Sequence, residues 1–164
     1  MSNVVYRFTE LKDLPGVLNL INELADFENE PDAVEITLED LERDAFGDQP
    51  KFKCIVAVLS DRVIGMALFY PRYSTWKGPT LHLEDLIVTK SERGTGVGQS
   101  LYESFISYAH KEEVRRIEWV VLDWNVHAVN FYKNSGAQVL EDWRTVQMDQ
   151  AAMSRYLAKK NENI

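Results

Sequence analysis

The sequence predicts an α/β domain built on a mixed, mostly antiparallel sheet flanked by helices. Two apolar, β-branched runs, "FKCIVAVLS" and "RVIGMALFY", are separated by Ser60 and Asp61, which reads as a hairpin. Helical apolar spacing recurs on both sides of that block, at Val17, Leu18, Ile21, Leu24 and Ala25 and again at Leu101, Phe105, Ile106 and Ala109. The 164 residues, 45% hydrophobic and 27% charged, suffice for one core, and no repeat, low-complexity tract or linker divides them. A single domain over residues 1–164 is therefore expected.

In chain order, a short strand at about Val4 to Phe8 comes first, and Pro15 then opens the amphipathic run of the first helix. Thr37, followed by Glu39 and Asp40, has the chemistry of an N-terminal cap for a second, shorter helix that Gly47 stops. The hairpin follows, then a third strand in "TLHLEDLIV". A helix starts at about Gly98 and ends in the polar "HKEEVRR", "IEWVVL" is another buried strand, and "HAVNFYKNSG" is a short helix closed by Gly136. "VLEDW" and "RTVQMD" suggest a terminal hairpin.

Bulk properties exclude several classes of function. A net charge of -8 gives no electrostatic footprint for nucleic acid, and favours a cationic small substrate instead. The single cysteine, Cys54, excludes an internal disulfide. No apolar run approaches the roughly 18 residues of a membrane span, and "MSNVVYRFTE" lacks a signal-peptide pattern, so a cytoplasmic protein is expected. His82, His110 and His127 are scattered without metal-ligand spacing, so no metal is expected. Cys54 sits in an apolar run, as a small buried side chain rather than a nucleophile.

The stretch with the most chemistry is "SERGTGVGQS", Ser91 to Ser100, with glycines at 94, 96 and 98 between a strand and a helix. Glycine lets a ligand approach the main chain closely. The first amides of a helix lack internal partners and form the positive end of its dipole, a phosphate site to which Arg93 adds a charge-assisted bond. The dinucleotide fingerprint G-x-G-x-x-G does not fit, and no Gly-Lys-Ser/Thr follows as in the phosphate loop of nucleotide hydrolases. What fits is R-x-x-G-x-G, from Arg93 through Gly96 to Gly98. Taken alone, a plain Gly-rich turn competes with that reading.

This motif resembles the pyrophosphate-binding loop of the GNAT acetyltransferases, whose co-substrate is acetyl-CoA. "YSTWKGPTLHLEDLIVTKSERGTGVG", "VLDWNVHAVNFYKNSGAQ" and "ELADFENE" together are similar to the diamine acetyltransferase branch of that superfamily over most of the chain. Within the branch, "YSTWKG" and "VLDWN" are closer to the thialysine N-epsilon-acetyltransferases than to the spermidine/spermine enzymes. The resemblance implies a twisted mixed sheet whose central strands splay to admit the pantetheine arm. It implies CoA contacts from Leu86, Ile87 and Val88, from Arg93, Gly94, Thr95, Gly96, Val97, Gly98 and Gln99, and from Asn125 and Ala128. It also implies a homodimer with acceptor sites near the subunit boundary.

Acetyl transfer to an amine needs a base, a polarised thioester and an acid for the departing thiolate. By resemblance Glu84 is the base; because free Glu titrates near 4.3 and a lysine-like amine near 10.4, a water relay, a raised pKa or both are expected. Strand alternation is expected to send Glu84 and Asp85 to opposite faces. A backbone amide around Leu86 to Val88 is the candidate for holding the carbonyl. Tyr132 in "NFYKNSG" matches the family's general acid; read alone, an aromatic core residue is the favoured reading.

Phe27 and Glu28 fall at acceptor-site positions of the family. Trp76 and Trp143 are either walls for an aliphatic amine or core or dimer contacts, and Glu141 and Asp142 stay undistinguished beside Trp143. The polyamine enzymes' aspartate in Y-D-P-W is absent from Tyr73-Ser74-Thr75-Trp76, and their tyrosine before the glutamate is Phe27 here. A lysine-like amine such as thialysine is therefore preferred over polyamines as acceptor. A spermidine/spermine acetyltransferase, and a non-catalytic domain that senses acetyl-CoA, are the alternatives.

Overall fold

Ser60 and Asp61 both take left-handed backbone angles, φ 49° and 62°, and join β2 (Lys53–Leu59) to β3 (Arg62–Ser74). That is the conformation a two-residue turn between twisted antiparallel strands requires. The computed structural model describes residues 3–161. Its sheet has the order β1-β2-β3-β4-β5: β1 (Val5–Phe8), β2, β3 and β4 (Gly78–Val88) pair antiparallel, and β5 (Ile117–Glu118) runs parallel to β4. Helix α3 (Val97–Lys111) makes the crossover that a parallel pair needs. With α1 (Leu14–Phe27) and α2 (Leu38–Phe46) these elements form one compact unit, residues 1–120. Residues 121–164 form a second, which carries α4 (Val126–Asn134) and α5 (Gln150–Asn161).

In the first unit, the period-two pattern of the strands divides the core in two. Ile55, Ala57, Ala67, Phe69, Leu81 and Leu83 face α3, packing on Val97, Leu101, Phe105 and Ala109. Cys54, Val56, Met66, Leu68 and Ile87 face the opposite way, packing on Leu14, Val17, Leu20 and Leu41 of α1 and α2. Thr37 caps α2 as expected, its hydroxyl accepting from the Asp40 amide at 3.2 Å while Asp40 Oδ2 accepts from the Thr37 amide at 3.0 Å.

The register of β4 on β3 slips by one residue. Leu83 pairs with Phe69 and Asp85 with Leu68, so Glu84 is a surplus residue, a β-bulge. The packing records it: Leu81 and Leu83 face α3, but beyond the bulge it is Leu86 and Val88 that pack against that cluster while Ile87 turns away.

Two expectations fail. The strand foreseen over "IEWVVL" spans only Ile117–Glu118, and no strand forms among the described residues of 137–149, where a terminal hairpin was expected. In that stretch Leu140 is 60% and Val146 91% exposed, so no buried face fixes a register. Helix α5 was not anticipated, although Asp149 accepts from the Ala152 amide at 2.6 Å as an N-terminal cap would.

Asp13, 5% exposed, anchors the start of α1 to β1. Its carboxylate accepts from Arg7 at 2.6 and 3.1 Å and from the Glu10 amide at 2.8 Å. Burial alone pushes its pKa up, but the Arg7 and Glu10 bonds hold it below the usual carboxylate value. A lowered folded value gives stability that is present above the unfolded pKa and lost as pH falls through the folded one. Arg7→Ala leaves a buried, half-satisfied carboxylate and should cost about 3 kcal/mol at neutral pH by urea denaturation, much less near pH 3. An equal cost at both pH values would show that the lost packing of Arg7, not the ion pair, matters.

Candidate active site

Two glycines shape the turn into α3. Gly94 and Gly96 have φ 77° and 90°, and a Cβ on either would meet nothing within 4 Å, so it is backbone conformation that calls for glycine there. Gly96 is the N-cap of α3 and no side chain caps the helix. Ser100 makes the first helical bond, to the Gly96 carbonyl at 3.1 Å, so the amides of Val97, Gly98 and Gln99 precede the helical ladder. The Val97 side chain is buried in the core, which fixes the direction of that amide row. A diphosphate suits such a donor set: several amides at the positive end of a 15-residue helix.

The loop is braced from below by α1. Glu23 accepts from the Thr89 hydroxyl at 2.9 Å and the Lys90 amide at 2.6 Å, and Thr95 Oγ1 donates to the Glu92 carbonyl at 2.7 Å. Arg93 Nε donates to the Val88 carbonyl at 2.9 Å, another of its nitrogens lies 3.6 Å from Glu23, and its guanidinium sits 5.3 Å over the Phe27 ring. Arg93 thus ties together the end of β4, the end of α1 and the loop. Gln99 donates to Glu103 at 2.9 Å.

The bulge corrects the expectation that Glu84 and Asp85 point apart. Leu68, opposite Asp85, and Tyr70, opposite His82, both lie on the α1 face of β3. The Tyr70 hydroxyl donates to Glu84 Oε2 at 2.9 Å, so Glu84 lies on that face too, and both carboxylates share it. Glu28, just past the last residue of α1, adds a third acid to the neighbourhood. Burial, then the Glu84 and Glu28 charges, push Asp85 up to about 7. Burial likewise raises Glu28. Tyr70 is pushed up to about 12 by burial and by its bond to Glu84, so it stays a donor at neutral pH.

The edge of β4 away from β3 pairs with β5 only at Leu81 and His82. From Leu83 through Leu86, Ile87 and Val88 that edge has no strand partner among the described residues. This is the shape of a sheet that opens at its central strands.

The second unit holds Asn125, Ala128, Tyr132, Glu141, Asp142 and Trp143. Asn125 caps α4, its Oδ1 accepting from the Ala128 amide at 3.2 Å, so two positions singled out separately in sequence are one capping pair. Tyr132 is buried on α4, its ring 5.4 Å from that of Phe131, and its carbonyl accepts from the Ser135 hydroxyl at 2.7 Å and the Ala137 amide at 3.1 Å. Trp143 is 70% exposed, and in the first unit Trp76 is 79% exposed on the β3–β4 turn; neither is a core residue. Glu141 lies 3.7 Å from Lys133.

Cys54 is buried, and burial pushes its thiol up to about 12, as expected of an inert side chain. Among the described residues no group of three or more His, Cys, Asp or Glu could hold a metal ion, and no helix is long and apolar enough to cross a membrane. Sequence reasoning missed Glu23, Tyr70 and the placement of Asp85. Only the last left a trace, in the spacing Leu81, Leu83, Leu86, Val88, where an apolar alternation skips one step.

The chain is similar to known proteins over most of its length. A model of the acetyltransferase (GNAT) family matches residues 17–137, across both units. The chain is 36% identical to the thialysine N-epsilon-acetyltransferase of Bos taurus, over 98% of this chain and 100% of the relative. It is 37% identical to the spermidine/spermine N(1)-acetyltransferase-like protein 1 of Homo sapiens, over 80% of this chain but only 20% of that longer protein. Among solved structures, an integron cassette protein of V. cholerae has a TM-score of 0.77 at 24% identity, covering 97% of this chain and 99% of the other, which shows a shared fold. A helix opening on exposed amides, a β4 edge that loses its partner, and a family match across more than half the sequence lead to one conclusion: the chain belongs to the GNAT family of acetyltransferases.

Proposed function

We propose that the chain is a single acetyltransferase domain over residues 1–164 that moves an acetyl group from acetyl-CoA to a primary amine of a small lysine-like acceptor. The observation that carries this reading is the group of acids, Glu28, Glu84 and Asp85, gathered on one face of the sheet beside the unpartnered edge of β4. An aliphatic ammonium is the complement of such a site. Thialysine N-epsilon-acetyltransferases similar over nearly the whole chain favour a lysine-like acceptor. The three acids also suit a diamine, which keeps spermidine and spermine as the second reading.

Acetyl-CoA supplies the activated acyl carbon and the thiolate that leaves. The amides of Val97, Gly98 and Gln99, with Gly94, Thr95 and Gly96, are assigned to its pyrophosphate, and a main-chain amide of Leu86 to Val88 to the carbonyl oxygen. Glu84 takes the amine's proton through water, so that nitrogen attacks with a free pair. The C–N bond forms, the C–S bond breaks, Tyr132 gives its phenolic proton to the departing sulfur, and the surplus proton on the new amide nitrogen is released and restores the phenol through solvent. Phe27, Glu28, Trp76 and Trp143 are assigned to the acceptor, and Asn125 and Ala128 to the N-terminus of α4 as a second contact to CoA. A cytoplasmic homodimer is adopted by analogy with the family.

Thiol release measured over thialysine, lysine, ornithine, spermidine and spermine tests the reading. The highest kcat/KM should fall on thialysine or another lysine-like amine, and Tyr132→Phe should lower kcat by roughly a hundredfold. Turnover highest on spermidine would favour the polyamine reading, and no turnover on any amine would favour a sensing domain. An unchanged Tyr132→Phe rate would remove that residue from the mechanism.

Asp85 provides a pH test. Its folded value of about 7 lies above the roughly 3.9 of an unfolded aspartate, so the folded chain holds the proton more tightly. The associated stability is complete below about pH 4 and is lost as pH rises through about 7. Asp85→Asn cannot ionise, and relative to the wild type it should gain on the order of 2 kcal/mol between pH 5 and pH 8 in urea titrations. Parallel stability curves for the two proteins would place Asp85 in ordinary solvent.

A further inference from the structure

The bulge places Glu84 within reach of two side chains to which the acetyl-transfer reading gives no task. Tyr70 and His82 face each other across β3 and β4, their rings 5.2 Å apart and inclined by 31°. The Tyr70 hydroxyl donates to Glu84 Oε2 at 2.9 Å, and His82 Nε2 lies 3.6 Å from the same oxygen. Glu84 Oε1 has no protein partner among the described residues.

We propose that Tyr70 is a positioning residue for the base: with its ring braced by His82, its hydroxyl holds one carboxylate oxygen of Glu84 and leaves the other to receive the acceptor's proton. The proposal rests on Glu84 acting as that base.

Three physical points support it. A glutamate on a bulge, 52% exposed in its side chain, has three rotatable bonds to fix, whereas a proton relay needs the oxygen held within a few tenths of an ångström. A hydrogen bond to one oxygen selects a rotamer without blocking the second oxygen. Tyr70 suits the task better than a charged donor, since it stays protonated at neutral pH and does not neutralise the carboxylate as an arginine would. His82 contributes a flat surface against the phenol, and its Nδ1 is buried without a hydrogen bond, consistent with a ring placed for packing.

The test is a double-mutant cycle read by steady-state kinetics with acetyl-CoA and thialysine. Tyr70→Phe removes only the hydroxyl and keeps the ring against His82. It should lower kcat about tenfold, the usual scale for a lost hydrogen bond to a charged group, while KM for acetyl-CoA and the thermal midpoint stay at wild-type values. In a Glu84→Gln background the same substitution should cost less than twofold, because the base it serves is gone. A Tyr70→Phe enzyme within twofold of wild type, beside a slow Glu84→Gln, would overturn the positioning role alone. So would a tenfold loss that persists undiminished in the Glu84→Gln background, since Tyr70 would then act on something else. A Glu84→Gln enzyme as fast as wild type would overturn the base assignment and this proposal with it.

Discussion

One surplus residue in β4 decides what the α1 face of the sheet can do. Leu81 and Leu83 pack against α3, and strict alternation would send Asp85 to the same side, among Phe69, Leu101 and Phe105. A carboxyl group without partners in that core would cost several kcal/mol. Absorbing the extra residue at Glu84 turns Asp85 to the opposite face and returns Leu86 and Val88 to α3, so the apolar packing stays continuous through the slip. The price is two acids side by side, and burial, then the neighbouring charge of Glu84, raises Asp85 to about 7. The same irregularity therefore protects the core and gathers two acids on one face of the sheet.

That surface is attached to the glycine turn before α3 by the chain that follows. β4 runs from the bulge into Thr89 and Lys90, both held by Glu23 of α1, and Arg93 reaches back to the Val88 carbonyl. Helix α3 has no side-chain cap to stabilise its start. Here the compensation comes from the buried Val97 side chain and from Gly65 of β3, which lets α3 close on the sheet: a Cβ there would stand 2.9 Å from Leu101 Cδ1 and 3.0 Å from the Ile87 carbonyl. The amides of Val97, Gly98 and Gln99 are left ahead of the helical ladder while the residues around them are fixed by other means.

Much of this was legible in the sequence. Periodicity located α1, α3 and the three central strands, and the Thr37 cap and Gly47 bounded α2, because each of those elements buries one face and so leaves a regular pattern. The glycines at 94 and 96 announced the turn, since their backbone angles exclude other side chains at low cost. The bulge was written in the uneven spacing of Leu81, Leu83, Leu86 and Val88, yet the pair Glu84-Asp85 reads as plain alternation unless both flanks are compared. Tyr70 was silent, because its partner lies 14 positions away on another strand. The stretch from 137 to 149 misled, since short apolar-containing runs read as strands, and without a sheet to bury against they form none.

The central claim, that the bulge brings Glu84 and Asp85 together on one face, is tested most directly by carboxyl carbon-13 NMR over a pH titration of the intact chain. The Asp85 carboxyl signal should titrate with a midpoint of about 7 and move to lower pH when Glu84 is replaced by glutamine. A midpoint near the ordinary 3.9, or one that Glu84→Gln leaves in place, would mean that the two carboxylates do not share a face.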